Sequence, residues 1–135
     1  LGLDGWRVKF DTERQTGTGT VSRGFQTMIQ AYGAEDWTPW EAWSGGETQR
    51  LRIAGAVGLA DLVSHRLGFR CNLEFWDEPT AHLGQEGIDD LLTFFNMRAR
   101  QLGRAIWLVD HRSLNAGDFI GGARVVKDNK GSHIK

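Results

Sequence analysis

Two short apolar runs, residues 71–76 and 105–109, bracket a segment in which Ile88, Leu91, Leu92, Phe95, Ala99 and Leu102 recur at helical spacing. Period-3.6 recurrence over that length marks an amphipathic helix, and the flanking runs are short enough to be buried strands. Strand, helix and strand joined by short connections imply a right-handed crossover with the strands parallel. In such sheets the reactive groups gather at the carboxyl ends of the strands. Asp77 and Glu78 end the first run, and Asp110 and His111 end the second.

The remaining segments are fitted around this α/β unit. Residues 6–10 and, more loosely, 21–32 alternate apolar and polar, with Thr16-Gly17-Thr18-Gly19 between them. That pattern predicts a β-hairpin with a glycine-rich turn. Residues 33–43 hold Pro39 and mixed acidic and aromatic side chains, which suits a connector. Ser44 and Glu47 form an S-x-x-E capping box, so a helix begins at Ser44. Residues 51–63 are apolar on more than one face, with small residues at 54, 55, 56, 58 and 60, which predicts close packing before Gly68 stops the helix. Residues 119–127 read as one more strand or hairpin, and 128–135 as a polar tail that frays.

Composition narrows the class. With 135 residues the chain is read as one domain: hairpin and connector 1–43, helix 44–68, α/β core 69–127 and tail 128–135. The single cysteine, Cys71, excludes a disulfide framework and reads as a small buried hydrophobe in a reducing compartment. No apolar run approaches the roughly 20 residues of a membrane span, and no signal peptide is recognisable. A cytoplasmic or nucleoid-associated location, away from membranes, is the expectation. A net charge of -1 denies the chain a global basic field, so nucleic acid would have to meet a local patch or another part of an assembly. The first residue is Leu1, which reads as the mark of a piece of something longer.

Two motifs carry chemistry. Ser44-Gly45-Gly46 at a helix start offers backbone N–H groups that a phosphate oxygen can approach without a Cβ in the way; read alone, it is equally a helix cap. A helix dipole contributes only about 0.3–2 kcal/mol, against about 4 kcal/mol for millimolar binding, so this element supplements a nucleotide site. The G-x-x-x-x-G-K-[ST] phosphate loop is absent. Its nearest approach, Gly19 to Gly24, is followed by Phe25-Gln26 and reads as a hairpin turn. Asp77-Glu78 places two carboxylates side by side, which costs stability unless a cation relieves it. Asp77 suits a magnesium ion, directly or through water, and Glu78 suits a general base. The bland alternative is a helix-entry cap with Pro79 at the turn. His111, at the neighbouring strand end, is placed to donate to a γ-phosphate or the attacking water.

Other features are less specific. His82 lies beside the carboxylates, where it is a candidate partner contact, while His65 and His133 have no chemical company. No Cys/His spacing suggests zinc and no G-x-S-x-G elbow occurs. Trp76 and Trp107 read as core. Trp37, Trp40 and Trp43 recur every third residue beside the glycines, suiting packing or docking more than base stacking.

Taken together, Ser44-Gly45-Gly46-Glu47-Thr48-Gln49-Arg50, residues 73–80 and residues 106–111 resemble the signature motif, the Walker B strand with its D-loop, and the H-loop of ABC-type ATPases. Ser-Gly-Gly-Glu resembles the SMC, RecN and SbcC group, and Asp-Glu-Pro-Thr its repair-nuclease members. The resemblance implies the C-terminal lobe of a P-loop NTPase head that lacks Walker A, and binding of ATP and Mg2+. It also implies a Walker A-containing N-terminal lobe as partner, a head-to-head homodimer, a nuclease subunit and DNA. Ser44, Gly45, Gly46, Glu47 and Gln49 would face nucleotide held by the opposite head; Asp77, Glu78 and His111 would act on nucleotide in their own. The sequence departs from the pattern at Trp43 for leucine, at Gly84 for the D-loop aspartate, and at Asp110 and Arg112, where threonine and aspartate are frequent. Rival readings are a transporter's nucleotide-binding subunit and a clamp that binds nucleotide without efficient hydrolysis.

Overall fold

The computed structural model describes residues 1–15, 21–129 and 131–134, and the backbone alone of 13–15 and 21–23. The expected glycine turn at 16–19 and the first two residues of the Gly19–Gly24 near-match lie outside them. The strands on either side pair as the alternation predicts. β1 (Arg7–Gln15) runs antiparallel to β2 (Val21–Gln30), with Arg7 opposite Gln30, Phe10 opposite Thr27 and a bulge between Asp11 and Glu13. The segment read as a connector is partly regular: β3 (Thr38–Pro39) pairs with Met28 and Ile29 of β2, and a 3-10 turn follows over Trp40–Ala42. Proline fits there because an edge strand spares one N–H.

Helix α1 (Gly45–Leu67) begins at an N-cap on Ser44 and ends at Gly68, whose φ of 64° is the left-handed C-cap that glycine adopts without strain. Its expected close packing is not what forms. Only Leu51 and Ile53 are buried, while Leu59, Leu62, Val63 and Leu67 face solvent. Gly55 and Gly58 have nothing within 4 Å of where a Cβ would sit, so these small residues mark no close approach.

The α/β unit forms as predicted in order and direction. β4 (Leu73–Asp77), α2 (Gln85–Leu102) and β5 (Ala105–Val109) follow one another, and β4 and β5 are parallel, with Leu73 opposite Ala105 and Asp77 opposite Val109. β4 starts at Leu73, two residues later than its apolar run. The core gathers on α2: Ile88, Leu91, Leu92 and Phe95 are buried with Ile53 and Leu83, and Trp76, Ile106 and Leu108 pack against them. The strands, however, are not buried on both faces. Phe75 is 66% and Trp107 54% exposed; they stack at 6.3 Å between ring centroids on the uncovered face. Trp76 meets the core expectation, packing on Phe95 at 5.1 Å, whereas Trp107 does not.

Arg98 is buried on the apolar side of α2, because acids surround it. Its guanidinium forks onto Asp61 of α1 at 2.7 and 2.8 Å and onto Glu74 of β4 at 2.9 to 3.2 Å, and Arg104 adds a 2.6 Å bond to Glu74. Four charges thus tie α1 to the strand that ends in Asp77. Beyond a 3-10 turn at Ala116–Asp118, β6 (Val125–Asp128) pairs with β7 (Gly131–Ile134), so residues 131–134 are a hairpin strand and not a frayed tail. Cys71, read as buried, is only partly covered, its Sγ 3.0 Å from the Leu73 carbonyl.

Candidate functional site

The first half of the site is the start of α1. The capping box forms: the Ser44 Oγ accepts from the Glu47 N–H at 3.4 Å, and the Glu47 carboxylate accepts from the Ser44 N–H at 3.1 Å and hydroxyl at 2.7 Å. Ser44 is exposed, as is Gly45, and Gly46 is partly so. A Cβ added at Gly45 would meet His82 Cβ at 3.6 Å, and one at Gly46 the His82 carbonyl at 3.4 Å, both ordinary contacts. Neither glycine has a positive φ. Nothing within the described chain therefore requires glycine at either position. Gln49 turns inward, its amide donating to the Pro79 carbonyl at 3.1 Å. A shallow groove of about 250 Å3 opens between this helix start and that of α2, lined by Ser44, Gly46, Glu47, Arg50, Gly84 and Gly87. Gly84 is the α2 N-cap and supplies no side-chain cap.

The second half lies at the carboxyl ends of β4 and β5. Asp77 is exposed at the last position of β4. Glu78 continues the ladder by donating its N–H to the Val109 carbonyl at 2.8 Å, then leaves it with φ at 46°. Its Oε1 lies 3.2 Å from His111 Nδ1, with both side chains more than half exposed. The structure thus brings Glu78 and His111 together. None of Asp77, Glu78 and His111 lines the groove beside Ser44. Among the described residues no three His, Cys, Asp or Glu side chains converge into a metal cage. Magnesium on a nucleotide needs only one or two carboxylates besides phosphate oxygens and water, which the Asp77 carboxylate at this open strand end fits.

Thr80, which sequence reasoning passed over, and Arg112, noted there only as a departure from the family pattern, hold this end in place. Thr80, fully buried, donates its hydroxyl to Asp110 Oδ2 at 2.6 Å, and Arg112 donates its backbone N–H to Asp110 Oδ1 at 2.9 Å and its Nη1 to the Leu83 carbonyl at 2.8 Å. Burial pushes the Asp110 carboxyl up, but the Thr80 hydroxyl and the backbone donors outweigh it and hold it below the usual carboxylate range. Neither pairing leaves a periodic signal, because each joins loops about thirty residues apart.

The aromatic run beside Ser44 is mainly packing. Trp43 lies on Trp6 at 4.8 Å, and Lys9 sits 5.0 Å above the Trp37 ring. Of the other histidines, His82 is exposed beside Gly45 with φ at 62°, and His133 has company after all, 3.7 Å from Asp128.

No protein-family model matches the chain, and no curated protein matches it in sequence. Its fold does have solved counterparts. An SMC ATPase, from structural work on ATP-driven dimerization and DNA-stimulated activation, superposes with a TM-score of 0.60 at 15% identity, over 98% of this chain and 73% of that one. The Smc head domain with a coiled coil and joint from Pyrococcus yayanosii gives 0.58 at 16% identity, over 98% of this chain and 24% of that one. The α/β fold built from the sequence is the fold of SMC head domains.

Proposed function

We propose that this chain is the C-terminal lobe of an SMC-like ATPase head of the RecN and SbcC repair class, which binds and hydrolyses ATP with Mg2+ once a Walker A lobe and a second head complete it. The observation that carries this reading is the unexplained pair Gly45-Gly46. A helix start accepts the entropic cost of two glycines with no internal contact or φ to justify them, so their bare N–H groups serve something outside the chain. In an SMC-head fold that something is the γ-phosphate on the opposite head, met by Ser44, Gly45 and Gly46. Glu47 and Gln49 shape the helix start from behind.

The remaining roles follow from position. Asp77 would hold magnesium, which screens phosphate charge when bound. Glu78 would draw a proton from the attacking water, and His111, in contact with Glu78, would orient that water or the γ-phosphate. The separation of Glu78 and His111 from the Ser44 groove suits two nucleotides, one in its own head and one in its partner. The open face of β4 and β5 supports a partner lobe: parallel sheets are ordinarily covered on both sides, and here Phe75 and Trp107 are not. DNA stimulation belongs to an SMC neighbour; for this chain DNA and a nuclease subunit are extensions of the same reading.

Phosphate release tests it. Co-expressed with a Walker A-bearing lobe the chain should hydrolyse ATP, alone it should not, and Glu78→Gln should lower turnover by about 100-fold or more. Undiminished turnover in that variant removes Glu78 as the base. A second reading, a clamp that closes on nucleotide without efficient hydrolysis, is favoured by Gly84, which brings no carboxylate to the start of α2. Nucleotide-dependent dimerisation without phosphate release would select it.

A further inference from the structure

The turn that leaves β4 holds two non-glycine residues in the left-handed region, Glu78 at φ 46° and His82 at φ 62°. Such backbone costs about 1–2 kcal/mol per residue and persists only where its surroundings over-determine it. Four contacts do so here. Glu78 N–H bonds Val109, Gln49 holds the Pro79 carbonyl, Arg112 holds the Leu83 carbonyl, and Asp110 Oδ2 takes both the Thr80 hydroxyl at 2.6 Å and the Thr80 N–H at 3.4 Å.

Of these, the Thr80–Asp110 bond links the two catalytic candidates through side chains, beside the backbone bond from Glu78 to Val109. Thr80 lies two residues after Glu78, and Asp110 immediately precedes His111. Asp110 is itself held, by the Arg112 N–H on its other oxygen. Glu78 and His111 are both exposed side chains that packing does not orient, so their 3.2 Å separation is set by the backbones beneath them.

We infer that Thr80 and Asp110 are a positioning pair, fixing Glu78 against His111 Nδ1; the inference rests on the ATPase reading for its purpose and on the geometry for its existence. An Nδ1 that faces a carboxylate oxygen must carry the proton in order to donate it. At alkaline pH, where imidazole is neutral, the pair therefore holds His111 in the Nδ1–H tautomer. An imidazole without that acceptor favours Nε2–H.

The experiment is a two-bond 15N–1H imidazole spectrum of the labelled full chain at alkaline pH, which needs no nucleotide. Wild type and Thr80→Ser, which keeps the hydroxyl, should show the Nδ1–H pattern for His111. Thr80→Val, nearly the same shape without the hydroxyl, should lose it, and so should Asp110→Ala, which removes the acceptor. Nε2–H in wild type, or Nδ1–H retained in a folded Thr80→Val, overturns the inference. If Thr80→Val does not fold, Asp110→Ala decides in the same way. If neither folds while Thr80→Ser does, the pair is a determinant of folding and the positioning role is refuted. Absence of phosphate release from the chain co-expressed with a Walker A lobe would remove the ATPase reading and leave this spectrum unchanged, so the two failures are distinct.

Discussion

Replacing Arg98 by methionine, which keeps the length of the side chain and discards its charge, tests how the two helices and β4 are held together. Removing one partner of a buried ion pair costs about 3–5 kcal/mol, mostly because the other is stranded. Here the strandings are incomplete. Glu74 keeps Arg104 at 2.6 Å, and Asp61 is 43% exposed and recovers water. Arg98→Met should therefore cost less, about 2–3 kcal/mol. Glu74→Leu should cost more, about 3–4 kcal/mol, because Arg98 keeps only Asp61 and Arg104 is left 3.6 Å from the same acid. The double variant should fall short of the sum by over ~1 kcal/mol, as coupled neighbours do. Urea unfolding near pH 7 with a shared m-value measures all three. An Arg98→Met loss under ~0.5 kcal/mol, or strict additivity, would refute the argument. Acid supplies a further check. Burial raises the Glu74 carboxyl but the hydrogen bonds from Arg98 and Arg104 hold it low on balance, and the Arg98 bond chiefly lowers Asp61. Groups with depressed folded pKa values stabilise above their unfolded values and lose that contribution as pH falls through the folded ones. The gap between wild type and Arg98→Met should thus close as the pH is lowered from about 5 toward 2.

Gly46→Ala should leave unfolding stability equal or raise it by up to about 1 kcal/mol, since the new Cβ meets only the His82 carbonyl at 3.4 Å, yet lower turnover in the assembled head. Equal loss of both would make Gly46 structural. Ser44→Ala removes the cap and should cost about 1 kcal/mol in the same denaturation assay. Trp107→Asp, on the open face of β5, should abolish co-purification with a Walker A lobe while lowering the stability of the chain itself by only about 1–2 kcal/mol, for the lost Phe75 stack and the poor strand propensity of aspartate; retained co-purification would place that lobe elsewhere.

What the sequence conveyed follows from range. Helix α2 and its core face were readable because Ile88, Leu91, Leu92 and Phe95 repeat within one segment, and the start of α1 because Ser44 and Glu47 are three residues apart. The covering of Trp107 was not readable, since a five-residue apolar run looks the same whether one face or two are packed. Helix α1 misled for a related reason: Leu59, Leu62 and Val63 are apolar in sequence, and nothing local states that no described element covers them.

The same limit explains why Thr80 and Arg98 escaped notice while Glu78 and His111 did not. Strand-end carboxylates and histidines announce themselves by type and place, as groups that a buried strand would otherwise avoid. Thr80 is an ordinary hydroxyl, and Arg98 looks like a solvated helix charge; each acquires meaning only from an acid 24 to 37 residues away. Reactive residues are thus legible one at a time, whereas the residues that aim them are legible only as pairs. It follows that the departures at Asp110 and Arg112 are better judged by what they hold, the Thr80 hydroxyl and the Leu83 carbonyl, than by the residue types they displace.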